Sequence, residues 1–219
     1  MSDGRRDYSF VLSGIMPLIM HADSIDGCDE LQEWRKNPAH KGVTVPGDDR
    51  SPAWTWQTYL YTDGKYVTIP ADNVMVALRQ AGAQLILKKQ KTFKEATQSG
   101  LLIPSEHCEL YADKNQVEIA AIRELRELPY AQQAAAVKAM GFELFAKRAK
   151  VGTSKHIRVR PRFKAWTVEG TITASRPEIT EEVLAQLFNL AGTCGLCDWR
   201  PAGKTPGPYG QFASVVKAL

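Results

Sequence analysis

The chain has 219 residues, 44% hydrophobic and 24% charged, enough to bury a core in one large domain or in a domain with a sizeable insertion. No run approaches the roughly 18 apolar residues of a membrane span, and the start M-S-D-G-R-R-D-Y lacks the apolar middle of a signal peptide, so a cytoplasmic location is expected. The four cysteines, Cys28, Cys108, Cys194 and Cys197, are too few and too scattered for a disulfide framework.

Tyr8 to His21 reads as a strand pair or a bent strand, with Pro17 bending or ending it. Residues 22–51 form a polar, irregular excursion in which a short helix over Asp29–Lys36 is predicted from early acids and late bases. The β-favouring run Trp54–Tyr61 and the Asp63-Gly64 turn predict a hairpin into Tyr66–Ile69. After Pro70, Asp72 or Asn73 is placed to cap a helix running to Leu87, whose apolar positions Val74, Ala77, Leu78, Ala81 and Leu85 share one face. Lys88, Lys89, Lys91 and Lys94 form a basic cluster before a short helix, Thr92–Ser99, and short strands follow at Leu101–Pro104 and Cys108–Tyr111. Val117–Leu128 is readable as helix or strand, and Tyr130–Ala149 as an Ala-rich helix. The chain closes with an alternating strand Trp166–Ala174, a helix capped by Thr180, a Gly/Pro-rich loop over 198–210 and a last strand at Gln211–Val216.

Lys147–Trp166 stands apart, with eight Lys or Arg, one His and no acid; the chain's 20 remaining bases against its 24 acids leave about −4 elsewhere. From Ile157 the pattern alternates, and strand geometry places Arg158, Arg160 and Arg162 on one face. Such a row, extended by Lys155, His156 and Lys164, can neutralise a nucleic-acid backbone, and Trp166 can stack a base. It can equally be a solvated basic face, or face acids of the same protein. Phe163, opposite Arg162 in parity, is expected in the core. The lysine cluster at 88–94 either extends a phosphate track or is plain surface. In the terminal loop, Gly207 and Gly210 could let the backbone approach phosphate, with Arg200 and Lys204 adding charge, or could serve an ordinary long turn.

The helix start Ile69-Pro70 … Ala77-Leu78-Arg79, the basic strand Arg160-Pro161-Arg162-Phe163-x-x-Trp166, then Asp198-Trp199-Arg200-Pro201 and the closing Gly207-x-Tyr209-Gly210-x-Phe212 resemble the RAMP superfamily of CRISPR-associated proteins, especially Cas7-like RNA-binding subunits and small RAMP-like proteins of phages and mobile elements. Met75 and Val76 stand where that helix start has Lys and Gly. The likeness covers most of the chain in element order and few residues in detail. It implies one α+β domain over 1–219: a ferredoxin-like or RRM-like antiparallel sheet with helices on one face, an irregular insertion at about 22–51 and a mostly helical one at about 112–150. It also implies binding of single-stranded RNA ahead of DNA, with self-association along the strand or with other Cas-type subunits.

Two other readings stay open. His21, just after the first strand, lies where RAMP endoribonucleases can carry a catalytic His, and Asp23 and Asp26 resemble loop acids that cut RNA with a metal in some Cas7-like subunits; a lone His at a strand end is also an ordinary satisfied residue. A phage structural protein, or one that mimics a Cas subunit, would bind protein instead. Cys194-x-x-Cys197 has zinc-knuckle spacing but no second ligand pair. No Walker-type loop, dinucleotide fingerprint or Ser-His-Asp signature occurs, and neither a cofactor nor a resident metal is expected.

Overall fold

A computed structural model describes residues 4–43, 48–151 and 153–219. Met1–Asp3 of the start, Thr44–Gly47 of the irregular excursion and Gly152 of the basic stretch lie outside it. The described residues form eleven strands and six α-helices. In chain order these are β1 Arg6–Gly14, β2 Leu18–Ile19, α1 Ile25–Lys36, β3 Thr68–Pro70, α2 Ala71–Gly82, β4 Ile86–Lys88, β5 Lys91–Thr92, α3 Lys94–Gly100, β6 Leu101–Leu102, β7 His107–Ala112, α4 Ile119–Arg123, α5 Tyr130–Ala139, β8 Glu143–Val151, β9 Ser154–Phe163, β10 Trp166–Ala174, α6 Glu181–Cys194 and β11 Phe212–Ala218.

The main sheet runs β11-β1-β10-β7-β3, with β6 also on β10, and every pairing in it is antiparallel. Alternation sends Tyr8, Phe10 and Leu12 of β1 and Val168, Ile172 and Ala174 of β10 into the core. There they meet Val74, Leu78 and Ala81 of α2 and Leu184, Leu187 and Phe188 of α6. A second antiparallel sheet, β2-β9-β8, carries the basic stretch. The fold is mixed α+β. No helix among the described residues is long and apolar enough to cross a membrane.

Several elements depart from the sequence expectation. Trp54–Tyr61 forms a 3-10 turn over Thr55–Tyr59 rather than a strand. The Thr55 hydroxyl donates to Pro52 O at 2.7 Å and that of Thr58 to Thr55 O at 2.8 Å, local bonds that compete with a ladder. Trp56, fully buried, donates Nε1–H to Gln133 Oε1 at 2.6 Å. Only the isolated bridge Thr62–Val67 remains of the expected hairpin. Helix α2 begins at Ala71 without a side-chain cap and stops at Gly82; residues up to Leu87 are not helical. The excursion holds a full helix, α1, capped by Ser24.

The largest departure is the 112–150 insertion. Helix α5 ends at Ala139, and Gly141, at φ +91°, turns the chain where a Cβ would lie 2.9 Å from Ala112 O. Glu143–Val151 is then strand β8, paired along its whole length with β9. Its Ala and Lys favour helix locally, but a continuous ladder of pairs overrides that weak preference.

Candidate nucleic-acid interface

The β8–β9 register sets Glu143 opposite Arg162, Phe145 opposite Arg160 and Lys147 opposite Arg158. Directly opposed residues share a face, so the three arginines do lie together, interleaved with Glu143, Phe145 and Lys147. That face is covered by acids and aromatic rings.

Asp49, from the polar excursion, aligns along β9 by donating its N–H to Ile157 O at 2.9 Å. Its carboxylate accepts from Arg158 Nη1 at 3.1 Å, Val159 N at 2.9 Å, Arg160 Nη1 at 2.7 Å and the Tyr59 hydroxyl at 3.0 Å. Arg160 is 4% exposed, and its guanidinium lies 3.9 Å over the Tyr59 ring. Arg162 and Lys164 both pair with Glu143, and the Arg162 guanidinium lies 4.0 Å over Phe145. Burial opposes ionisation of Glu143, but hydrogen bonds from Lys164 and Arg162 outweigh it and hold the carboxyl below its usual range. All three arginines are held by carboxylates; Arg160 is sealed in, whereas Arg158 and Arg162 keep 25% and 21% of their side chains exposed.

His21 joins this cluster from beyond β2. Its Nδ1 lies 3.6 Å from Asp198 Oδ2, and its Nε2 lies 3.4 Å from Arg160 Nη2. Arginine can only donate, so Nε2 accepts and the proton sits on Nδ1, towards Asp198. Tyr59 meets the imidazole edge-on, and the Tyr61 hydroxyl donates to His21 O at 3.1 Å. Burial, with the neighbouring Cys197, pushes the Tyr61 hydroxyl up to about 12. For Asp198, burial raises the carboxyl, but His21, the Trp199 N–H and Arg160 bring it below the usual range.

The Gly-rich loop presents Asp198 and Trp199. Gly210 N–H donates to Pro17 O at 2.8 Å and Asp198 N–H to Ile19 O at 3.0 Å, which ties the loop to the segment leading to His21. A Cβ at Gly207 would lie 2.4 Å from Trp199 O, and one at Gly210 2.1 Å from Leu196 O. These glycines let the loop close on itself; they do not present an open backbone for phosphate. Arg200 is occupied in the same packing, donating to Gln80 Oε1 at 2.7 Å, while Lys204 is exposed. On top lies an aromatic group: Phe145, Trp199 and Tyr209, with ring centroids 6.1–6.4 Å apart. Lys147 Nζ lies 4.1 Å over Trp199.

The remaining predicted residues fall elsewhere. Trp166 is buried, donates Nε1–H to Met16 O at 2.8 Å and packs against Gly14, so it offers no ring face for stacking. Lys88, Lys89 and Lys91 sit exposed on the β4–β5 hairpin and Lys94 opens α3; no hydrogen bond or ion pair among the described residues links them to the arginine face. Lys155 is exposed at the start of β9 and His156 is half-buried beside it. Asp23 and Asp26 are exposed, and no group of three or more His, Cys, Asp or Glu among the described residues is placed to hold a metal.

Asp49, Tyr59, Phe145 and Lys147 were not picked out by sequence reasoning. Asp49 lies in an irregular stretch with no pattern to mark it, and β8 was read as helix, which hid the alternation of Glu143, Phe145 and Lys147. Compared with known proteins, the chain matches no family model and no curated protein.

Proposed function

We propose that this protein binds single-stranded nucleic acid, RNA ahead of DNA, along the face where Lys147, Arg158, Trp199 and Tyr209 meet. The reading is carried by the cations that stay accessible there once the internal pairs are formed: Lys147 is exposed and Arg158 partly so, and Lys204 is exposed on the loop that carries Trp199. Lys147 lies over the half-exposed Trp199 ring, with Arg158 as its cross-strand neighbour, the combination of backbone charge and stacking surface that unpaired strands require. Arg160 and Arg162 act as the frame of this surface, and the lysines of the β4–β5 hairpin offer a second cationic patch. Backbone contacts of this kind carry little base information, so sequence preference is weak.

The element order β1-α2-β7-β10-α6-β11, with strand order β11-β1-β10-β7, supports a ferredoxin-like core. That arrangement is the one expected from the RAMP and Cas7-like resemblance, on which RNA is placed ahead of DNA. The test is an electrophoretic shift of matched single-stranded RNA, single-stranded DNA and duplex at two salt concentrations. The RNA is expected to shift at low salt and to be released as salt rises. Absence of any shift at low salt overturns the reading.

A second reading, a metal-independent endoribonuclease, is favoured by one observation: an exposed imidazole, His21, whose Nδ1 faces Asp198. In that reading Nε2 gives up its contact with Arg160 and takes the proton of a 2′-hydroxyl as that oxygen attacks phosphorus, and a water molecule protonates the leaving 5′-oxygen as the P–O5′ bond breaks. Labelled RNA incubated in EDTA decides it. Cleavage that persists in EDTA and is lost in His21→Ala establishes the enzyme; intact RNA leaves binding alone.

A further inference from the structure

We infer that Trp199 is the stacking platform for one unpaired base, set beside His21 so that the base and its own sugar-phosphate are held by one short loop. The inference rests on the nucleic-acid reading above and adds the subsite at which a base is gripped.

The backbone is the first reason. Cys197 and Trp199, on either side of Asp198, both take left-handed conformations, φ 60° and φ 50°. Such conformations are uncommon outside glycine, and more so for a bulky ring; they persist where the surroundings enforce them, and they concentrate at functional sites. Here the loop enforces them: Asp198 N–H is bound by Ile19 O, Tyr209 N–H by Trp199 O, and Gly207 leaves room for the Trp199 carbonyl. The strained turn gives two neighbouring residues different duties. Asp198 meets His21, and the indole of Trp199 stays at the surface.

The surroundings of the ring are the second reason. Trp54, Trp56 and Trp166 are buried; Trp199 and Trp34 remain partly exposed, but the Trp34 ring is already stacked on His40 at 3.9 Å. Phe145 lies perpendicular to the Trp199 ring at 6.4 Å and Tyr209 at a tilt at 6.2 Å, contacts that steady the ring. Lying over it is the ammonium of Lys147, an exposed side chain free to turn to another anion. An incoming phosphate draws that ammonium away and frees the ring face for the base attached to it. The exchange runs in the favourable direction: an exposed cation–π contact corresponds to roughly 2- to 5-fold in affinity, and stacking of a base on an aromatic ring to roughly 5- to 100-fold.

The third reason is placement. Asp198, the residue before Trp199, meets His21, and Lys147 over the indole is the cross-strand partner of Arg158, so cationic groups border the ring for the phosphate of a stacked nucleotide.

The test compares a labelled oligouridylate with an abasic ribose-phosphate oligomer of the same length, by fluorescence anisotropy at one low salt concentration. Wild type is expected to bind the base-bearing strand more tightly. Trp199→Ala is expected to lose roughly 5- to 100-fold on that strand and to be nearly unchanged on the abasic one. Trp199→Phe, which keeps a ring, is expected to recover most of the loss, and circular dichroism melts confirm that both variants fold. Equal loss on both oligomers, or no loss on either, overturns the stacking site while the nucleic-acid reading stands. If wild type binds neither oligomer, the nucleic-acid reading fails and the site falls with it.

Discussion

Asp49 and Arg160 form a buried ion pair, 2.7 Å from Oδ2 to Nη1, with side chains only 3% and 4% exposed. The pair pins the irregular excursion to the centre of β9 and turns the most central arginine of the basic stretch into a structural element. A buried charge whose partner is removed has no solvent to replace it, so Asp49→Ala is expected to cost about 3–5 kcal/mol. Arg160→Met is expected to cost a similar amount, and the double variant Asp49→Ala with Arg160→Met less than the sum. Urea denaturation of the four proteins measures the coupling; additive losses would mean that the two side chains do not depend on each other.

Arg158 and Lys147 belong to a different class. Both keep solvent contact; Lys147→Gln is expected to shift stability by about 0–1 kcal/mol, and Arg158→Gln by more, because it removes one of the two cations on the buried Asp49 carboxylate. Each is also expected to lower the salt slope of single-strand binding by about 0.7. Unchanged slopes in both variants would place the phosphate track elsewhere, and the lysines of the β4–β5 hairpin are then the next substitutions.

Glu143 gives a pH dependence with a definite sign. Its folded carboxyl lies below the reference value of 4.5 because Arg162 and Lys164 favour the charged form. A depressed carboxyl stabilises the fold fully above the unfolded value, and that stabilisation is lost as the pH falls through the folded one. Glu143→Gln is therefore expected to be less stable than wild type at pH 6, with the gap closing below about 4.5. Thermal melts from pH 2 to 7 follow the convergence; a gap that persists at pH 2 would point to packing instead.

The loop glycines separate strain from close packing. Gly64 takes φ +95° with open space around it, so Gly64→Ala is expected to cost about 1–2 kcal/mol from backbone strain alone. Gly210 takes φ +72° with Leu196 O only 2.1 Å from where a Cβ would lie. Gly210→Ala is expected to cost a further ~1–3 kcal/mol from overpacking and to weaken single-strand binding by displacing Asp198 and Trp199. Equal costs at the two positions would show that the loop relaxes freely.

Much of the fold was legible locally. Trp166–Ala174 alternates as a strand should and is β10 to the residue, and Thr180 with the acids after it announced α6. Each carries its signal within a few residues: side-chain parity in one case, a cap and a dipole-matched first turn in the other. Trp54–Tyr61 and Glu143–Val151 misled for a common reason. Their local preference was outweighed, by hydroxyl-to-backbone bonds and a buried indole in the first and by a long ladder partner in the second.

The basic stretch shows the same division. From Ile157 onward, parity by itself determined that Arg158, Arg160 and Arg162 share a face, because a strand alternates its side chains whatever surrounds it. Which of them remain accessible was decided by the tertiary structure alone. Asp49 lies 111 residues before Arg160, and Glu143 meets Arg162 only once β8 folds back on β9. The pairing of His21 with Asp198 likewise depends on β2 and the C-terminal loop coming together. Charge balance and periodicity are properties of a segment. Desolvation of a charge, and the partner that compensates it, depend on residues that only the folded chain brings within a few ångströms.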